Sequence, residues 1–350
     1  MAYATESRQT YVFDVGGTYL RSAEWVAGKG AQHIVKEVSP GFIQYPDATL
    51  LQLKNRLLAA IEQRVPQQHD GLSASISLGA AINHHSGEVY AAAPLWGSHQ
   101  VNIDIVEELH ALRPDVHWLV MNDLTAMAIH LSQQPICQSV SKVMLITVSS
   151  GIACRIFQTS PFHISFDIAG LQGEIGHLPA TGELPALDCD CGENGHIAAY
   201  SSGRGVRHVY EKLYQQRFNR PPDLEDFESN FKQKLDKQDA FCQQVLDLAM
   251  RPLADLITTA LVLDPSIGLV ALSGGVTDSI GLHLKRAILA RINEKGPYIT
   301  AQKYPHDIDE RLFLCPLNTA SGLYGAGIAA EHAQDDWFIR HIPQKGPYHA

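Results

Sequence analysis

The residues best suited to chemistry in this chain begin with a carboxylate beside two glycines. The stretch Thr10–Ala23 reads as an apolar strand that ends on Asp14, turns through Gly16, Gly17 and Thr18, and resumes as a second strand. Glycines at such a turn leave backbone N–H groups uncovered, so a phosphate can approach them closely. Asp14 is suited to a hydrated Mg²⁺, which takes one or two carboxylates together with phosphate oxygens. A plain glycine hairpin explains the same residues, because short motifs also match by chance.

A second carboxylate follows another predicted strand. Residues 117–121 are predicted as a strand that delivers Asn122 and Asp123 at its end, just before a predicted helix. A carboxylate in that position could accept the proton of a substrate hydroxyl that attacks phosphorus. Aspartates also commonly cap helices, and a capping role explains Asp123 on its own.

A third group of residues has the composition of a metal site. Cys189 and Cys191 are one residue apart, with His177 before them and His196 after them. Two thiols and two imidazoles suit tetrahedral Zn²⁺, and four protein ligands would make the site structural. Unlinked thiols and surface histidines are the alternative, since Cys-x-Cys is less diagnostic than paired Cys-x-x-Cys. A metal on His177 would also hold the nearby Glu174 rigidly enough to bind substrate hydroxyls.

Two further turns of small residues could take part in nucleotide binding. Ser149-Ser150-Gly151 joins two predicted strands, as the turn after Asp14 does, and we interpret it as the head of a duplicated hairpin. The two hairpin turns could hold a polyphosphate between them, and Gly274-Gly275 could pass beside an adenine. Each turn alone is more often only a turn. The sequence contains neither a Walker A motif nor a dinucleotide fingerprint, which disfavours a P-loop enzyme or a Rossmann dehydrogenase.

The elements that must position these residues alternate between strands and helices. The first third of the chain is predicted as β-β-β-α-β-α-β-α, and the strand–turn–strand pattern restarts at residues 143–157. We expect Asp47 to cap the first helix, and we expect a mobile tail from Gln334 onwards. Further expected elements are loops at 79–83 and 93–97, helices over 103–112, 205–213, 239–263 and 320–332, and strands over 73–78, 267–272 and 313–317.

Composition excludes several classes of protein. The chain has 350 residues, which suits two domains, and its net charge of −10 disfavours a nucleic-acid-binding surface. The polar N-terminus lacks the apolar core of a signal peptide, and the apolar runs are too short to span a bilayer, so we expect a cytoplasmic protein without membrane contact. Six cysteines are too few for a disulfide framework in a chain of this length. We expect four of them to be buried small hydrophobes: Cys137, Cys154, Cys242 and Cys315.

Taken in order, these motifs resemble those of the ROK sugar kinases. The likeness runs from about Tyr11 to Glu331. The matching segments are Asp14–Thr18 with Arg21 (first phosphate motif), Asn122-Asp123 (catalytic pair), Ser149–Gly151 (second phosphate loop), Glu174–His177 (sugar motif), Cys189–His196 (zinc signature), Asp264-Pro265 with Ser273–Gly275 (adenosine segment) and Gly322–Ala329 (closing helix).

The resemblance implies a fold, a set of cofactors and a set of site residues. The fold would be the α/β, two-domain actin-like ATPase (ribonuclease H-like) fold with a central cleft. Residues 1–125 and a C-terminal helix at about 322–350 would form a small domain, and residues 126–321 a large domain with the zinc motif. The cofactors would be ATP, Mg²⁺ and structural Zn²⁺, and the protein would be a homodimer.

The resemblance also assigns roles to individual residues. Asp123 would be the general base. The other assignments are substrate contacts by Ala80, Asn83, Asn122, Glu174 and His177; nucleotide contacts by Asp14, Gly16, Gly17, Thr18, Ser149, Ser150, Gly151, Gly274 and Gly275; and zinc ligation by His177, Cys189, Cys191 and His196.

The chain departs from the family pattern mainly in the sugar pocket. Ala198 stands where the family usually has a glutamate that contacts the sugar, and Ala80 stands near a usual glycine. Leu95-Trp96 lacks the usual asparagine, Ser149 replaces a glycine, and His196 replaces a third cysteine that imidazole can substitute on zinc. A pocket that loses a hydrogen-bond acceptor should change which substrate fits.

Two functions follow from this pattern. The first is ATP-dependent phosphorylation of the primary hydroxyl of a hexose or a hexose-like polyol, such as a C7 cyclitol of the valiolone type. The second is a catalytically weakened ROK-type sugar-binding or sensor protein. ROK repressors carry a helix-turn-helix before the Asp-Gly-Gly-Thr motif, and only about ten residues precede it here, so we expect no binding to DNA.

Overall fold

The computed structural model describes residues 9–67, 71–97, 99, 102–165, 173–180, 186–297, 303–304 and 306–347. The chain forms two compact units. The first unit comprises Met1–Gln134, His163–Gln172 and Thr319–Ala350, and the second unit comprises Pro135–Phe162 and Gly173–Asn318. The sequence-based domain bounds given above stay a prediction. The expectation of no signal peptide rests on residues 1–8, which lie outside the described residues.

Both units contain strands and helices. The strands are β1 Gln9–Val15, β2 Tyr19–Val26, β3 Gly30–Val38, β4 Leu72–Leu78, β5 Ala81–Ile82, β6 Glu88–Ala91, β7 Ile103–Asp104, β8 Val116–Asn122, β9 Lys142–Val148, β10 Ile152–Thr159, β11 Phe162–Ile164, β12 Ile267–Ser273, β13 Leu312–Leu314 and β14 Gln344–Lys345. The helices are α1 Leu50–Glu62, α2 Ala93–Trp96, α3 Ile105–Leu112, α4 Asp123–Ser132, α5 Ala198–Ser201, α6 Gly203–Phe218, α7 Phe227–Asp236, α8 Ala240–Leu263, α9 Gly275–Lys295, α10 Asp307–Arg311, α11 Gly322–Glu331 and α12 Asp336–His341.

The first unit is built on a sheet with the strand order β14-β8-β4-β1-β2-β3. Strand β1 pairs antiparallel with β2 and parallel with β4, and β4 pairs parallel with β8. Val15, Leu78 and Asn122 therefore lie in one row across the carboxyl ends of three parallel strands. Since neighbouring strands lie about 4.8 Å apart, β1 and β8 are separated by about 10 Å at this edge. The two carboxylates predicted from sequence thus come from one edge of one sheet.

The second unit repeats this arrangement with the strand order β11-β10-β9-β12-β13. Strands β9 and β10 form an antiparallel hairpin, and β12 pairs parallel with β9 and with β13. In both sheets a strand hairpin is followed by parallel strands on its other side. The duplication predicted from the two hairpins is confirmed.

The parallel strands are buried on both faces, and their residues are accordingly apolar along the whole run. Every residue of β4 and of β8 is buried. In the second unit β9 and β12 pack against α8 and α9, which contribute Leu246, Leu253 and Ile288 to the core. The four cysteines expected as small hydrophobes are buried free thiols, as predicted. None of the described helices combines the length and apolar character needed to cross a membrane.

Several local expectations were wrong, and each error has a physical reason. Thr49 and not Asp47 caps α1, because Thr49 makes a reciprocal capping box with Gln52. Residues 93–97, expected as a loop, contain the single-turn helix α2, and residues 103–112 begin with the short strand β7 before α3. Elements this short carry no readable periodicity.

The C-terminal segment is also ordered differently from the prediction. Residues expected as a mobile tail form α12 and then β14, whose Gln344 and Lys345 pair antiparallel with Leu119 and Trp118 of β8. A strand of two residues is formed by its pairing with the neighbouring strand, and it is too short to show the alternation of apolar and polar residues that predicts a strand. Helix α7 was not predicted at all, and β13 ends at Leu314 instead of Leu317.

Candidate active site

Asp14 is fixed by side chains from two neighbouring strands. The β1–β4 register places Ser77 directly beside it, and the Ser77 hydroxyl donates to Asp14 Oδ1 at 2.9 Å. Arg21 of β2 donates from Nη1 to Asp14 Oδ2 at 2.8 Å. Burial raises the pKa of Asp14, while Arg21 and Ser77 act in the opposite direction. The side chain remains 16% exposed, so the oriented carboxylate is still reachable by a bound ion or water.

Gly322, the first residue of α11, lies against the same carboxylate. A Cβ atom at this position would lie 2.4 Å from Asp14 Oδ1 and 2.4 Å from Ser77 Oγ. No side chain fits there unless Asp14 moves. Gly322 was expected at the start of the closing helix, but its proximity to Asp14 was not predicted. A glycine as the first residue of a helix is the signal that could have indicated such a close contact.

Some backbone groups of the turn after Asp14 are already hydrogen-bonded within the protein. Gly16 donates its N–H to the carbonyl of Tyr19 at 3.0 Å, and the carbonyl of Thr18 accepts from Ser39 at 3.0 Å. Thr18 is exposed and Gly17 is half-buried. The predicted phosphate residues therefore form a closed turn at the surface of the first unit.

Asn122 is the cap of α4. Its Oδ1 accepts from the N–H groups of Leu124 and Thr125 at 3.0 and 3.3 Å, and its Nδ2 donates to the carbonyl of Ala80 at 2.9 Å. This buried amide therefore ties the helix start to the loop after β4. Its predicted substrate contact stays a prediction, and the geometry gives it a positioning role.

Asp123 is the first residue of α4, one position inside the helix. The N-cap of α4 is Asn122 and not Asp123. The Asp123 carboxylate nevertheless accepts a hydrogen bond at the helix start, because Leu124 donates its N–H to Asp123 Oδ1 at 2.9 Å. A Cβ atom on Gly79 would lie 3.6 Å from Asp123 Oδ2 and 3.3 Å from the carbonyl of Val15. Gly79 thus occupies the space between the end of β1 and the Asp123 carboxylate, and its lack of a side chain leaves that carboxylate uncrowded on this side.

The remaining predicted substrate residues of the first unit lie in the loop after β4. Ala80 is buried, and its carbonyl accepts the Asn122 amide. Asn83 donates from Nδ2 to the hydroxyl of Tyr90 at 2.7 Å, and its Oδ1 accepts from the backbone N–H groups of His85 and Ser86. These contacts order the loop from within.

In the second unit, two long helices begin beside the Ser149 turn. The carbonyl of Ser149 accepts from the N–H of Gly203, the first residue of α6, at 2.8 Å. A Cβ atom on Gly275, the first residue of α9, would lie 3.8 Å from Ser149 Oγ. The preceding Gly274 has a φ of +99° and would place a Cβ atom 2.7 Å from the carbonyl of Val148.

This meeting of helix starts suits an anion. Helix N-termini carry partial positive charge and N–H groups without helical partners, so they attract phosphate. Ser149, Ser150 and Gly151 are exposed at the head of the β9–β10 hairpin. The structure brings the predicted Ser149–Gly151 and Gly274-Gly275 segments together, and it adds Gly203, which sequence reasoning missed although Ser202 carries a capping signal before it.

Glu174 lies at the start of a 3-10 turn over Ile175–His177. Burial raises the pKa of Glu174, and the neighbouring His177 and Arg155 side chains act in the opposite direction. A Cβ atom on Gly176 would lie 2.4 Å from the carbonyl of Ile152 and 3.3 Å from the Ala198 methyl. The segment therefore packs directly on the start of β10, with Ala198 beside it.

The predicted metal ligands form one cluster. The ligand atoms of His177, Cys189, Cys191 and His196 all lie within 4.8 Å of one another. Cys191 Sγ is 3.2 Å from His196 Nδ1, and Cys189 Sγ is 4.0 Å from His177 Nδ1. A tetrahedral zinc ion with ordinary bond lengths would separate a sulfur and a nitrogen ligand by roughly 3.5 Å. The donor set and its spacing fit Zn²⁺.

Backbone hydrogen bonds shape the loop that carries the two thiols. Cys189 donates its N–H to the carbonyl of Glu193 at 2.8 Å, and Gly192 donates to the carbonyl of Cys189 at 3.0 Å. Gly192 has a φ of +95°, which favours glycine. Arg204 of α6 pairs with Asp190 between the two cysteines at 2.7 Å, so the loop is also tied to the start of α6.

Known proteins resemble the chain over most of its length. The model of the ROK family matches residues 11–330. A 2-epi-5-epi-valiolone 7-kinase from an Actinoplanes species is 41% identical over 332 residues, which cover 91% of this chain and 92% of that protein. A C(7)-cyclitol 7-kinase from Streptomyces hygroscopicus subsp. jinggangensis is 30% identical over 205 residues, which cover 56% of this chain and 55% of that protein.

The fold also matches solved structures. A ROK family glucokinase from Streptomyces griseus, crystallised with glucose and AMPPNP, superposes with a TM-score of 0.67. The sequences are 17% identical, and the match covers 91% of this chain and 98% of the other. At that identity the likeness supports the fold.

Proposed function

The chain belongs to the ROK family, and from that membership we propose that it phosphorylates the primary hydroxyl of a C7 cyclitol with ATP. The enzyme class is a carbohydrate or cyclitol kinase. The observation that carries the cyclitol proposal is the 41% identity to the Actinoplanes kinase across nearly the full length of both chains.

Asp123 would act as the general base. The proton of the acceptor hydroxyl would pass to the Asp123 carboxylate as the hydroxyl oxygen bonds to the γ-phosphorus. The bond from that phosphorus to the leaving ADP oxygen would then break. The position of Asp123 at the first turn of α4, with the side-chain-free Gly79 beside it, supports this role.

Asp14 would hold the hydrated Mg²⁺ of Mg-ATP. Its carboxylate fits this role because two hydrogen bonds orient it and it remains partly exposed. Mg²⁺ supplies neutralisation of the phosphate charge when bound. The proposed phosphate and nucleotide contacts are Gly16, Gly17 and Thr18 in the first unit, and Ser149, Ser150, Gly151, Gly274 and Gly275 in the second.

Glu174 would accept hydrogen bonds from acceptor hydroxyls, with further contacts from Asn83, Ala80, Asn122 and His177. The Ala198 methyl beside Gly176 supplies no hydrogen-bond acceptor next to this segment. A site with fewer acceptors suits a ring that differs from a hexose in its hydroxyl pattern.

His177, Cys189, Cys191 and His196 would hold a structural zinc ion, which supplies a fixed link between the Glu174 turn and the cysteine loop. The observed clustering of two thiols and two imidazoles supports this assignment. His177 would be fixed at Nδ1 or Nε2 by that bond, so the Glu174 turn three residues earlier would be held with it.

The test is ADP release from Mg-ATP over an acceptor panel. The panel contains glucose, mannose, N-acetylmannosamine, N-acetylglucosamine, fructose and C7 cyclitols such as 2-epi-5-epi-valiolone. We expect the highest turnover with a C7 cyclitol, and we expect Asp123→Asn to lower kcat by ~10²–10⁴-fold with folding intact. Asp104→Asn is the matched control, since asparagine also caps helices and should keep the α3 cap.

Each outcome of the panel separates the candidate functions. Asp123-dependent turnover on a hexose but on no cyclitol would replace the cyclitol proposal by a sugar kinase. Binding of a polyol without any ATP turnover would favour the catalytically weakened sugar-binding protein. Full activity of Asp123→Asn would refute the assignment of the base. A homodimer and a cytoplasmic location complete the proposal, and light scattering tests the first.

A further inference from the structure

We propose that Arg155 is a positioning residue that holds the Glu174 turn on β10 and thereby sets affinity for the acceptor without affecting affinity for ATP. The inference rests on the proposed function, because it takes Glu174 as an acceptor-binding residue.

Arg155 is a buried cation within the sheet of the second unit. It lies in β10, and only 4% of its surface is exposed. Its Nη1 donates to the carbonyl of Cys154 at 3.0 Å, so the guanidinium folds back along its own strand. Burying a guanidinium is costly unless hydrogen bonds and opposite charge compensate it, so this side chain is held in place by contacts with its surroundings.

The main chain just before Glu174 lies directly on that guanidinium. A Cβ atom on Gly173 would lie 2.3 Å from Arg155 Nη1 and 1.9 Å from the carbonyl of Cys154. The Cys154 N–H donates to the carbonyl of Gly173 at 2.8 Å. Gly173 also has a φ of +91°, which favours glycine. Glycine at 173 therefore allows a contact between Arg155 and the turn that no other residue permits.

The other side of the turn is seated in the same way. A Cβ atom on Gly176 would lie 2.4 Å from the carbonyl of Ile152, at the start of β10. Glu174 is thus flanked by Gly173 and Gly176, and both glycines lie in close contact with the backbone of β10. The placement of the Glu174 backbone is set by this strand, and Arg155 is the cation on the strand beside it.

Charge adds to this packing. Burial raises the pKa of the Glu174 carboxyl, and the guanidinium of Arg155 acts in the opposite direction. His177 also acts on Glu174, but it lies within the turn itself, while Arg155 belongs to the strand that supports the turn. A carboxylate that accepts hydrogen bonds from substrate hydroxyls works best when it is ionised and fixed in place.

The experiment compares Arg155→Met and Arg155→Lys in two backgrounds, wild type and Glu174→Gln. Binding of 2-epi-5-epi-valiolone is measured by calorimetry without nucleotide, and KM for ATP is measured separately. In the wild-type background we expect Arg155→Met to weaken cyclitol binding by ~10-fold or more, with KM for ATP within about twofold of wild type. Arg155→Lys keeps the charge, so it should recover much of the binding.

The Glu174→Gln background identifies the route of the effect. If Arg155 acts through the Glu174 carboxylate, adding Arg155→Met to Glu174→Gln should change the affinity for the cyclitol by no more than about twofold to threefold. An equal loss in both backgrounds, or a parallel rise in KM for ATP, would overturn the proposal. Arg291→Met is the matched control, because Arg291 is also largely buried and pairs with Asp255 elsewhere in the second unit. It should leave cyclitol binding unchanged.

A second variant covers the case in which Arg155→Met does not fold. Gly173→Ala keeps the guanidinium and displaces the turn from it, so it should also weaken cyclitol binding and spare KM for ATP. Wild-type cyclitol binding by Gly173→Ala would refute the inference. Failure of the wild-type enzyme on every acceptor would instead count against the proposed function, so the two failures are distinguishable.

Discussion

Replacing Gly322 by alanine should damage the use of ATP through a single added methyl group. The new Cβ would lie 2.4 Å from Asp14 Oδ1 and 2.4 Å from Ser77 Oγ, so the carboxylate and the hydroxyl must move apart or away. Ordinary contacts between a carbon and such an atom require roughly 3.4 Å, so the required displacement is about 1 Å. Gly322 does not have the left-handed backbone that would itself reject alanine.

The size of the effect follows from this displacement. Overpacking of this kind costs ~1–3 kcal/mol of stability, and a misplacement of about 1 Å in a site can lower a rate by ~10²-fold. We expect kcat/KM for ATP to fall ~10–100-fold, because Asp14 would lose its alignment with Ser77 and Arg21. Binding of the acceptor without nucleotide should stay within about twofold of wild type. The assay is ADP release at varied ATP with saturating Mg²⁺, together with calorimetry for the acceptor.

A matched glycine separates this effect from a general helix effect. Gly281 lies within α9, and a Cβ there would meet only methyl groups at the ends of side chains, those of Leu314 at 3.3 and 3.6 Å and that of Thr277 at 3.7 Å. Gly281→Ala should therefore keep kcat/KM for ATP. If Gly322→Ala shows wild-type kcat/KM for ATP and an unchanged Tm, the argument that Gly322 makes room for a functional Asp14 is refuted.

Two further predictions concern the metal cluster and a buried histidine. We expect about one equivalent of zinc per chain by elemental analysis, and Cys189→Ser and Cys191→Ser should each lower that zinc content. A zinc content well below one equivalent in correctly folded protein would exclude the four-ligand site. Burial lowers the pKa of His130 from 6.5 to about 4, and its Nδ1 accepts from the N–H of Ser321 at 3.1 Å. The unfolded chain protonates the His130 imidazole more readily than the folded chain does, so the free energy of unfolding should fall by up to ~3 kcal/mol as the pH drops from above 6.5 to about 4. Urea unfolding of the wild type and of His130→Gln at several pH values tests this. Equal pH dependence of the two proteins would contradict the prediction.

The carboxylates of the candidate site were predictable because their signal is local. An unbroken apolar run predicts a strand buried on both faces, and such strands present functional groups at their carboxyl ends. Asp14 and Asp123 both follow this rule, and the structure places them at the same edge of one sheet. The cluster of two cysteines and two histidines was predictable for the same reason, since three of its four ligands lie within eight residues.

The partners of these residues were not predictable in the same way. Asn122 and Asp123 are adjacent, and both are good caps, so only the backbone geometry of the helix start assigned the cap to Asn122. The strand β14 has two residues and exists through its pairing with β8, which no local pattern encodes. The contact of Arg155 with Gly173 depends equally on how the chain returns to β10.

The sequence by itself determined the family and the mixed α/β class, and it supplied the carboxylates, the glycines and the Cys/His group that we propose for the candidate site. It could do so because these features depend on residue type and short spacing. Only the tertiary structure decided that Gly322 makes room for Asp14, that Gly79 lies beside Asp123, and that Gly173 lies on a buried arginine. Such contacts join residues distant in sequence, and their geometry is set by how the elements pack together in the folded chain.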